Sequence, residues 1–209
     1  MLENKLGIFN SAELARAEEE ITKRKALQLF ELGLLDTCEV GTFAGLARIH
    51  QYLFEDVYDF AGRVRTENIA KGGFRFAPVM YLQAALESID RMPHRTFQDI
   101  IAKYVEMNTG AHPFREGNGR SMRLWLDSML KTQLSRVVDW SRVAQDEYLM
   151  AMERSPVKDL EIRLLLETAL TDRIHDREVF MKGVDASYSY EGYNVFKTED
   201  LAADGERDI

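Results

Sequence analysis

The chain has 209 residues, of which 45% are hydrophobic and 30% charged, a composition typical of one globular domain with at most small extensions. Its formal net charge of -8, without any Lys/Arg-rich stretch, argues against a duplex nucleic-acid partner, which requires a basic surface. A single cysteine, Cys38, excludes an intrachain disulfide, and no apolar run approaches the length of a membrane span, so we expect a soluble cytoplasmic protein.

Apolar residues recur at helical spacing along most of the chain. Asn10, followed three residues later by Glu13, resembles a capping box that opens a first helix running towards Leu34. Apolar faces over 43–54 and 82–89 predict two further helices. Thr96 is expected to cap a fourth helix that ends near Gly110. Later helices are expected to start near Gly117, near Asp139 and at Ser155-Pro156.

One interruption of the helical pattern, over residues 64–77, has a different character. Gly72 and Gly73 are flanked by Asn68, Ile69, Phe74 and Phe76, which is typical of a β-hairpin or flap. The predicted fold is therefore all-α, a helical bundle with a small β-hairpin flap. The polar, acidic stretch at the end of the chain is expected to be disordered.

Residues 112–123 read HPFREGNGRSMR and carry the clearest chemical signal. Two glycines flank Asn118 at the start of a predicted helix, where unpaired N–H groups and the positive end of the helix dipole favour an anion. Arg120 and Arg123 lie on one face of the first helical turns and can bind further phosphate oxygens. The stretch predicts a phosphate-binding turn.

Two side chains in the same stretch are suited to chemistry on a bound phosphate. His112 can accept a proton from a hydroxyl near neutral pH. Glu116 offers a hard oxygen ligand for Mg²⁺ that bridges phosphates. A base, a metal ligand and an anion cradle within one short segment predict phosphoryl-type transfer, in which positioning and charge neutralisation dominate.

This stretch matches the signature H-x-F-x-[D/E]-G-N-G-R-x-x-R at every defined position, and the chain resembles the Fic family over roughly Gly41 to Gly192. The resemblance implies a protein adenylyltransferase that uses ATP and Mg²⁺ to move AMP onto a Tyr, Ser or Thr hydroxyl of a target protein. The family's phosphate-transferring branch has lysine where Gly119 stands, and this difference favours AMP transfer. Relatives act on bacterial proteins, DNA gyrase among them, or on host GTPases, and nothing in the chain selects one target.

The resemblance also implies roles for individual residues. His112 would deprotonate the target hydroxyl, Phe114 would anchor the loop, and Glu116 would hold the metal. The nucleotide phosphates would be cradled by Gly117, Asn118 and Gly119. The β- and γ-phosphates would be bound by Arg120 and Arg123. The flap, with Lys71, Gly72 and Gly73, would hold the target segment.

A second, weaker pattern, [S/T]-x-x-x-E-[G/N], is matched by SYSYEG near the C-terminus. We expect Asp185 to cap a short helix that places Ser187 and Glu191 on one face and ends at Gly192. In Fic proteins of the self-inhibited type with a C-terminal inhibitory helix (class III), the glutamate contacts the second signature arginine, here Arg123. The resemblance then implies that ATP binds with its α-phosphate misoriented, and that homo-oligomers form.

These interpretations divide the chain into a helical extension (1–40), a catalytic core (41–175), an inhibitory segment (176–195) and a disordered tail (196–209). If the inhibitory segment loosens, Tyr188, Tyr190 or Tyr193 becomes a candidate for self-modification.

Three other functions use the same residues. The site could remove AMP from a modified protein with Glu191 orienting water, sense nucleotide without chemistry, or transfer a different phosphate-linked group. An intact His112 argues against a pure sensor, because such a module needs no base. We interpret His94 and His175 as structural or surface residues, and His50 likewise, although its predicted helix lies close to the site.

Overall fold

The computed structural model describes residues 1–71 and 74–205, and these ranges are mostly α-helical. In chain order the elements are α1 (Ser11–Glu31), α2 (Phe43–Phe54), β1 (Ala70–Lys71), β2 (Phe74–Arg75), α3 (Val79–Asp90), α4 (Phe97–Val105), α5 (Asn118–Leu134), β3 (Val137–Val138), α6 (Gln145–Arg154), α7 (Leu160–Thr168), β4 (Leu170–Thr171), α8 (Arg177–Ser189) and α9 (Thr198–Gly205).

The predicted cap of the first helix is confirmed. Asn10 accepts hydrogen bonds from the main-chain N–H groups of Ala12 and Glu13, at 2.9 and 3.0 Å. The helix ends at Glu31, before the expected Leu34, because Gly33 takes a left-handed conformation with φ of 65°.

Helix α5 lies at the centre of the core, in contact with α2, α4 and α8. Its inner face is the predicted one, with Met122, Trp125, Leu126 and Met129 fully buried. Full burial of each such side chain stabilises the fold by roughly 1.5–3 kcal/mol. Helix α5 is therefore a rigid base for the residues at its N-terminus.

Two short antiparallel strand pairs accompany the helices. The predicted flap is present as β1 and β2, with Ala70 opposite Arg75 and Lys71 opposite Phe74, while Gly72 and Gly73 at its tip lie outside the described residues. A second pair, β3 with β4, was not predicted. Its strands have two residues each, too few for an alternating sequence pattern to mark them.

Helix boundaries around α6 and α7 differ from the prediction. Ser155 does not cap a helix start; it follows the end of α6 and its Oγ donates to the carbonyl of Met152 at 2.7 Å. Helix α7 begins only at Leu160, after Asp159. Near Asp139 the chain forms one 3-10 turn, Trp140–Arg142, before α6.

The prediction for Asp185 was wrong, because this residue lies inside α8, which is capped instead by Asp176 accepting from Val179 N–H at 3.0 Å. Asp185 binds the Lys23 ammonium at 3.1 Å and the Thr198 hydroxyl at 3.0 Å. These contacts connect α8 to α1 and to the start of α9.

The expectation of disorder over 196–209 was also wrong for its first part. Helix α9 forms there, and both Thr198 and Leu201 are buried. Its polar composition concealed the burial of these two side chains against neighbouring helices. In the described ranges, no helix is both long and apolar enough to cross a bilayer.

Candidate active site

The phosphate-binding turn predicted before α5 depends on two local features. Gly117 has φ of 73°, and a Cβ at this position would overlap the Phe54 ring, so glycine is required there. Asn118 is buried, and its side chain accepts from Phe114 N–H at 2.9 Å and donates to Phe114 C=O at 2.7 Å. The Asn118 amide therefore braces the loop, and the main-chain N–H of Asn118 lies in the first turn of α5, where an anion is stabilised.

A histidine outside the signature supports this loop by ring stacking and hydrogen bonds. His50 is fully buried and stacks on Phe114 with 3.8 Å between ring centroids. Its Nδ1 accepts from Gly62 N–H at 2.9 Å, so Nε2 carries the proton and donates to the carbonyl of Glu116 at 2.8 Å. Burial lowers the pKa of His50 to about 3, so the ring is neutral and serves as a support for the Glu116 main chain.

His112 has the conformation and hydrogen bonding expected of a base. Its φ of 46° is unusual for a non-glycine residue and places it after a π-helical turn, with its N–H donating to Met107 C=O at 2.9 Å. Ring Nδ1 lies 2.7 Å from the carbonyl of Asn108 and donates to it, which leaves Nε2 as the acceptor in the neutral ring. The ring stacks on Phe76 of the flap at 3.8 Å.

Arg65 holds the main chain around this histidine. Its side chain is buried, with 4% exposed. Among the described residues, its guanidinium donates only to main-chain carbonyl oxygens. Nε binds the carbonyl of His112 at 2.8 Å and Nη2 that of Ala111 at 3.1 Å. The same guanidinium also binds Glu67 at 2.8 Å and Ala77 at 2.6 Å, at the two ends of the flap.

Three carboxylates from different parts of the chain surround Arg120. Nε lies 2.8 Å from Glu191, Nη1 2.7 Å from Glu18 of α1, and Nη2 3.1 Å from Glu116. Burial opposes the charge of Arg120, but attraction by Glu191 and Glu18 outweighs it and raises its pKa above the usual range. The ring of Tyr193 covers the guanidinium at 4.4 Å.

Arg123 is bound mainly by α8 and by Glu191, two residues beyond the end of that helix. Its Nε donates to Ser187 Oγ at 2.6 Å, and Nη2 donates to the Ser187 carbonyl and to Glu191, each at 2.7 Å. Burial again opposes the charge, and Glu191 raises the pKa of Arg123 above its usual range. The predicted contact between Glu191 and Arg123 is thus present, and Glu191 also reaches Arg120.

Gly119 explains where the Glu191 carboxylate lies. A Cβ at Gly119 would overlap Glu191 Oε1 and would lie 2.8 Å from Arg123 Nη1. The carboxylate therefore occupies the space that the missing side chain opens, at the N-terminal turn of α5. An anion is stabilised there by the helix dipole and two guanidinium groups. Gly192, with φ of 88°, follows at the predicted turn after α8.

A cleft of about 600 Å³ connects this anion position to His112. This volume lies within the range of small-molecule sites. Its lining combines the flap, the signature and the C-terminal segment: Ile69, Ala70, Phe76, Asn108, Thr109, His112, Arg115, Glu116, Gly117, Asn118, Gly119, Arg123, Tyr148, Leu149, Met152, Glu153, Tyr190 and Glu191.

Glu116 is the carboxylate best placed for a metal in this cleft. Its Oε1 accepts from Gly117 N–H at 3.0 Å, and its side chain is 36% exposed. Within residues 1–71 and 74–205, no three His, Cys, Asp or Glu side chains are grouped as metal ligands. The donor set fits Mg²⁺, which characteristically takes one or two carboxylates and completes its shell with phosphate oxygens and water.

The three candidate tyrosines are each buried or hydrogen-bonded in this conformation. Tyr188 and Tyr190 are 2% and 5% exposed, and Tyr190 donates to the carbonyl of Val143 at 2.6 Å. Tyr193 donates to Glu18 at 3.0 Å. Self-modification would require the C-terminal segment to leave its position.

Glu18 and Arg65 contribute to this site without being predicted by the sequence. Glu18 belongs to an acidic run in α1 that is typical of a solvated helix face. Arg65 lies at the start of the stretch predicted as a flap, where nothing in the sequence marks it as a buried arginine. Neither position carries a local signal, because their roles arise from contacts distant in sequence.

Comparison with known proteins gives a consistent result. The Fic/DOC family profile matches residues 42–130. A probable protein adenylyltransferase Fic of Salmonella typhimurium is 28% identical over 184 residues, which cover 82% of this chain and 88% of that protein. A probable protein adenylyltransferase of Sinorhizobium fredii is 30% identical over 172 residues, covering 77% of this chain and 85% of the relative.

The fold also resembles solved structures. The BepC protein of Bartonella tribocorum, crystallised with bound AMPPNP, superposes with a TM-score of 0.68 at 19% sequence identity, covering 82% of this chain and 92% of that one.

Proposed function

Because this chain belongs to the Fic/DOC family and is a protein adenylyltransferase, we propose that it moves AMP from ATP onto a Tyr, Ser or Thr hydroxyl and is inhibited in cis by Glu191. The observation that carries this proposal is the single cleft that joins the His112 ring to the carboxylate of Glu191 between two arginines.

In the proposed reaction, His112 acts on the target protein. Because its Nδ1 proton is held by the Asn108 carbonyl, Nε2 is the atom that accepts the proton of the target hydroxyl. The hydroxyl oxygen then attacks the α-phosphorus of ATP, and the bond to the bridging oxygen breaks with release of pyrophosphate. Residues of the flap, Lys71 and Gly72 among them, would align the target segment by strand pairing, as edge strands do elsewhere.

The remaining signature residues would bind the triphosphate. The N-terminal turn of α5, at Gly117, Asn118 and Gly119, would cradle phosphate oxygens through main-chain N–H groups. Arg120 and Arg123 would bind the β- and γ-phosphates. Glu116 would hold Mg²⁺, which supplies charge neutralisation for the leaving pyrophosphate when it is bound.

Inhibition follows from competition between two anions for the same donors. The Glu191 carboxylate is bound by both arginines at 2.7–2.8 Å and lies against Gly119, where a terminal phosphate would otherwise be held. ATP that binds beside an undisplaced carboxylate would be misaligned for attack on its α-phosphorus. Ser187 supports the inhibited state because it binds Arg123 through both its hydroxyl and its carbonyl.

The reverse reaction, removal of AMP from a modified protein, would need Glu191 to orient a water molecule. Both of its oxygens accept from the two arginines that would bind phosphates, and this arrangement supports competition with ATP, that is, inhibition. A kinase-like transfer is disfavoured by Gly119, and a pure nucleotide sensor by the hydrogen-bonded arrangement of His112.

Labelled ATP distinguishes these functions. Wild type, Glu191→Gln and Glu191→Gly are incubated with bacterial lysate and ATP labelled at the α- or the γ-phosphate, with Glu191→Gly/His112→Ala as the inactive form. We expect protein-bound α-label that increases in both Glu191 variants and disappears without His112. Glu199→Gln, which changes an exposed glutamate of α9, is the matched control and should behave as wild type.

Label transferred only from the γ-phosphate would replace the proposal with kinase chemistry, and ATP binding without any label would favour a sensor. Mass spectrometry of the labelled bands would identify the target, DNA gyrase or another bacterial protein, and would reveal AMP on Tyr188, Tyr190 or Tyr193. Light scattering would test the homo-oligomer that the family resemblance implies.

A further inference from the structure

A second cavity, of about 390 Å³, lies behind the two signature arginines, between α1, α5 and α8. Arg123 lies between this cavity and the 600 Å³ cleft that contains His112. Among the described residues, it is the one that lines both. Its walls are largely apolar and include Leu29, Val138, Trp140, Phe180 and Val184.

One carboxylate faces this apolar space. Asp127 of α5 accepts from Val138 N–H and from Trp140 Nε1–H, each at 2.8 Å. These bonds use one acceptor position on each oxygen and leave the others available. In the part of the chain that the structure describes, no Lys or Arg forms an ion pair with Asp127.

The charged residues at the cavity mouth, in contrast, neutralise one another. Lys131 pairs with Asp36 at 2.6 Å, and Arg173 pairs with Asp176 at 2.5 Å. The cavity therefore combines apolar walls, an entrance whose charged groups are paired, and one acidic group without a countercharge.

We propose that this cavity is a binding site for a small amphiphilic amine, with its apolar body against α1 and α8 and its ammonium group on Asp127. The size is suitable, because a cavity of about 150 Å³ accommodates benzene and this one has room for roughly fifteen non-hydrogen atoms. Burial raises the pKa of Asp127 to about 7, which reflects the cost of a carboxylate here without a cation. A bound ammonium removes that cost.

The site is coupled to inhibition, a step that rests on the proposed function. One wall is α8, through Val179, Phe180 and Gly183, and the opposite wall is α5, which carries both arginines. The cavity exists only while α8 is docked, so a ligand that contacts both walls binds the docked state alone. By linkage it stabilises that state and lowers AMP transfer.

Binding is tested with tryptamine and its neutral isostere 3-propylindole by calorimetry. Wild type should bind tryptamine at least about tenfold more tightly, since a charged hydrogen bond is lost in the isostere. Asp127→Asn should abolish this preference, Ala26→Leu should weaken both ligands by filling the cavity, and Asp146→Asn, at an exposed aspartate of α6, should change neither.

A spectroscopic readout makes the test independent of how well the variants fold. The chain has two tryptophans, and in ¹⁵N-labelled wild type the indole resonance of Trp140, bonded to Asp127, should shift on adding tryptamine. The resonance of Trp125, bonded to the Thr42 carbonyl, should not. Absence of binding, an unmoved Trp140 resonance, or a tryptamine preference that survives in Asp127→Asn would overturn the site.

The coupling is tested by α-label transfer with saturating tryptamine. Wild-type transfer should fall several-fold, while Glu191→Gly, in which the inhibitory carboxylate is absent, should be unaffected. Binding to wild type without any change in its transfer would overturn the coupling. If wild type and Glu191→Gly transferred no label at all, the proposed function would fail, while calorimetry and the Trp140 resonance would still decide the site.

Discussion

Arg65 donates a hydrogen bond from Nε to the main-chain oxygen of His112 at 2.8 Å, across 47 residues of sequence. The same guanidinium binds the carbonyls of Glu67 and Ala77, where the flap begins and ends. One buried side chain thus determines the distance between the proposed base and the strand that would hold the target.

Replacing Arg65 with Gln in the Glu191→Gly background should therefore separate chemistry from nucleotide binding. We expect kcat for AMP transfer to fall about 10- to 100-fold, because small misplacements of a reacting group cost about this much. The ATP dissociation constant should stay within about twofold, since the guanidinium of Arg65 binds, among the described residues, main-chain oxygens next to His112 and the flap and not the turn at Gly117 to Gly119. The comparison needs radiolabel kinetics for kcat and calorimetry for ATP.

Arg63→Gln is the matched control, because Arg63 is exposed and lies two residues away in the same stretch. Equal losses in ATP affinity and in kcat would show that Arg65 supports the fold generally and has no specific positioning role.

Gly119→Ala should weaken ATP binding even where Glu191 has been removed. The added methyl group would occupy the space now filled by the Glu191 carboxylate and would lie 2.8 Å from Arg123 Nη1. In the Glu191→Gly background we expect at least about a tenfold loss of affinity for ATP, or roughly 1.4 kcal/mol, by calorimetry.

The control for this substitution is Gly183→Ala in α8, where a Cβ would meet Trp140 Cδ1 at an ordinary 3.4 Å. ATP affinity of Gly119→Ala equal to that of its parent would place the terminal phosphates elsewhere.

Glu18→Gln should destabilise the protein although Glu18 lies outside the signature. Glu18 and Arg120 form an ion pair at 2.7 Å whose side chains are 2% and 0% exposed, and Tyr58 and Tyr193 also donate to Glu18. Glutamine would remove one of the three carboxylates that offset the buried charge of Arg120, and its amide N–H₂ would face groups that donate to Glu18, so we expect a loss of about 3 kcal/mol in the free energy of unfolding.

Urea denaturation measures this loss, with Glu20→Gln as control. Glu20 is two residues further along α1 and pairs with Arg24 while both side chains are about 40% exposed, so its change should stay below about 0.5 kcal/mol. Similar effects at both positions would contradict a specific role for Glu18.

His50→Gln should show a pH-dependent effect on stability. In the folded protein the pKa of His50 is lowered to about 3 by burial, below the value near 6.5 in the unfolded chain. As pH falls below about 6.5 the unfolded state binds a proton that the folded state does not, so the wild type loses roughly 1.4 kcal/mol per pH unit from this group.

Glutamine does not titrate, so the stability deficit of His50→Gln should shrink by about 2 kcal/mol between pH 7.5 and pH 5. Urea denaturation at the two pH values measures the deficit, and Gln51→Ala, at an exposed and uncharged neighbour in α2, should have an effect that does not depend on pH. A deficit that stays constant with pH would mean that His50 takes up its proton over the same pH range in the folded and in the unfolded protein.

Several features were predicted from local patterns and are present. The start of α5 at Gly117, the flap hairpin and the capping of α1 by Asn10 each depend on residues within a few positions of one another. Local geometry sets such features because a turn or a cap is completed by neighbouring main-chain groups.

The errors occurred where burial decided the outcome. The stretch after Phe196 looked disordered by composition, yet Thr198 and Leu201 are buried beside α8 and α1. Asp185 has the residue type of a cap, but it lies inside α8, where Lys23 and Thr198 bind it. Composition describes a segment alone, whereas burial depends on the partners that the fold brings to it.

The candidate residues of the site can be read from local sequence, because the base, the carboxylate, the glycines and the two arginines lie within one turn and one helix start. Their support comes from contacts that local sequence does not show. Glu18, Arg65 and Glu191 reach the site from separate elements, and Glu191 contacts Arg120 across 71 residues of sequence. Such contacts depend on the packing of α1, α5 and α8 against one another, and no local spacing encodes that packing.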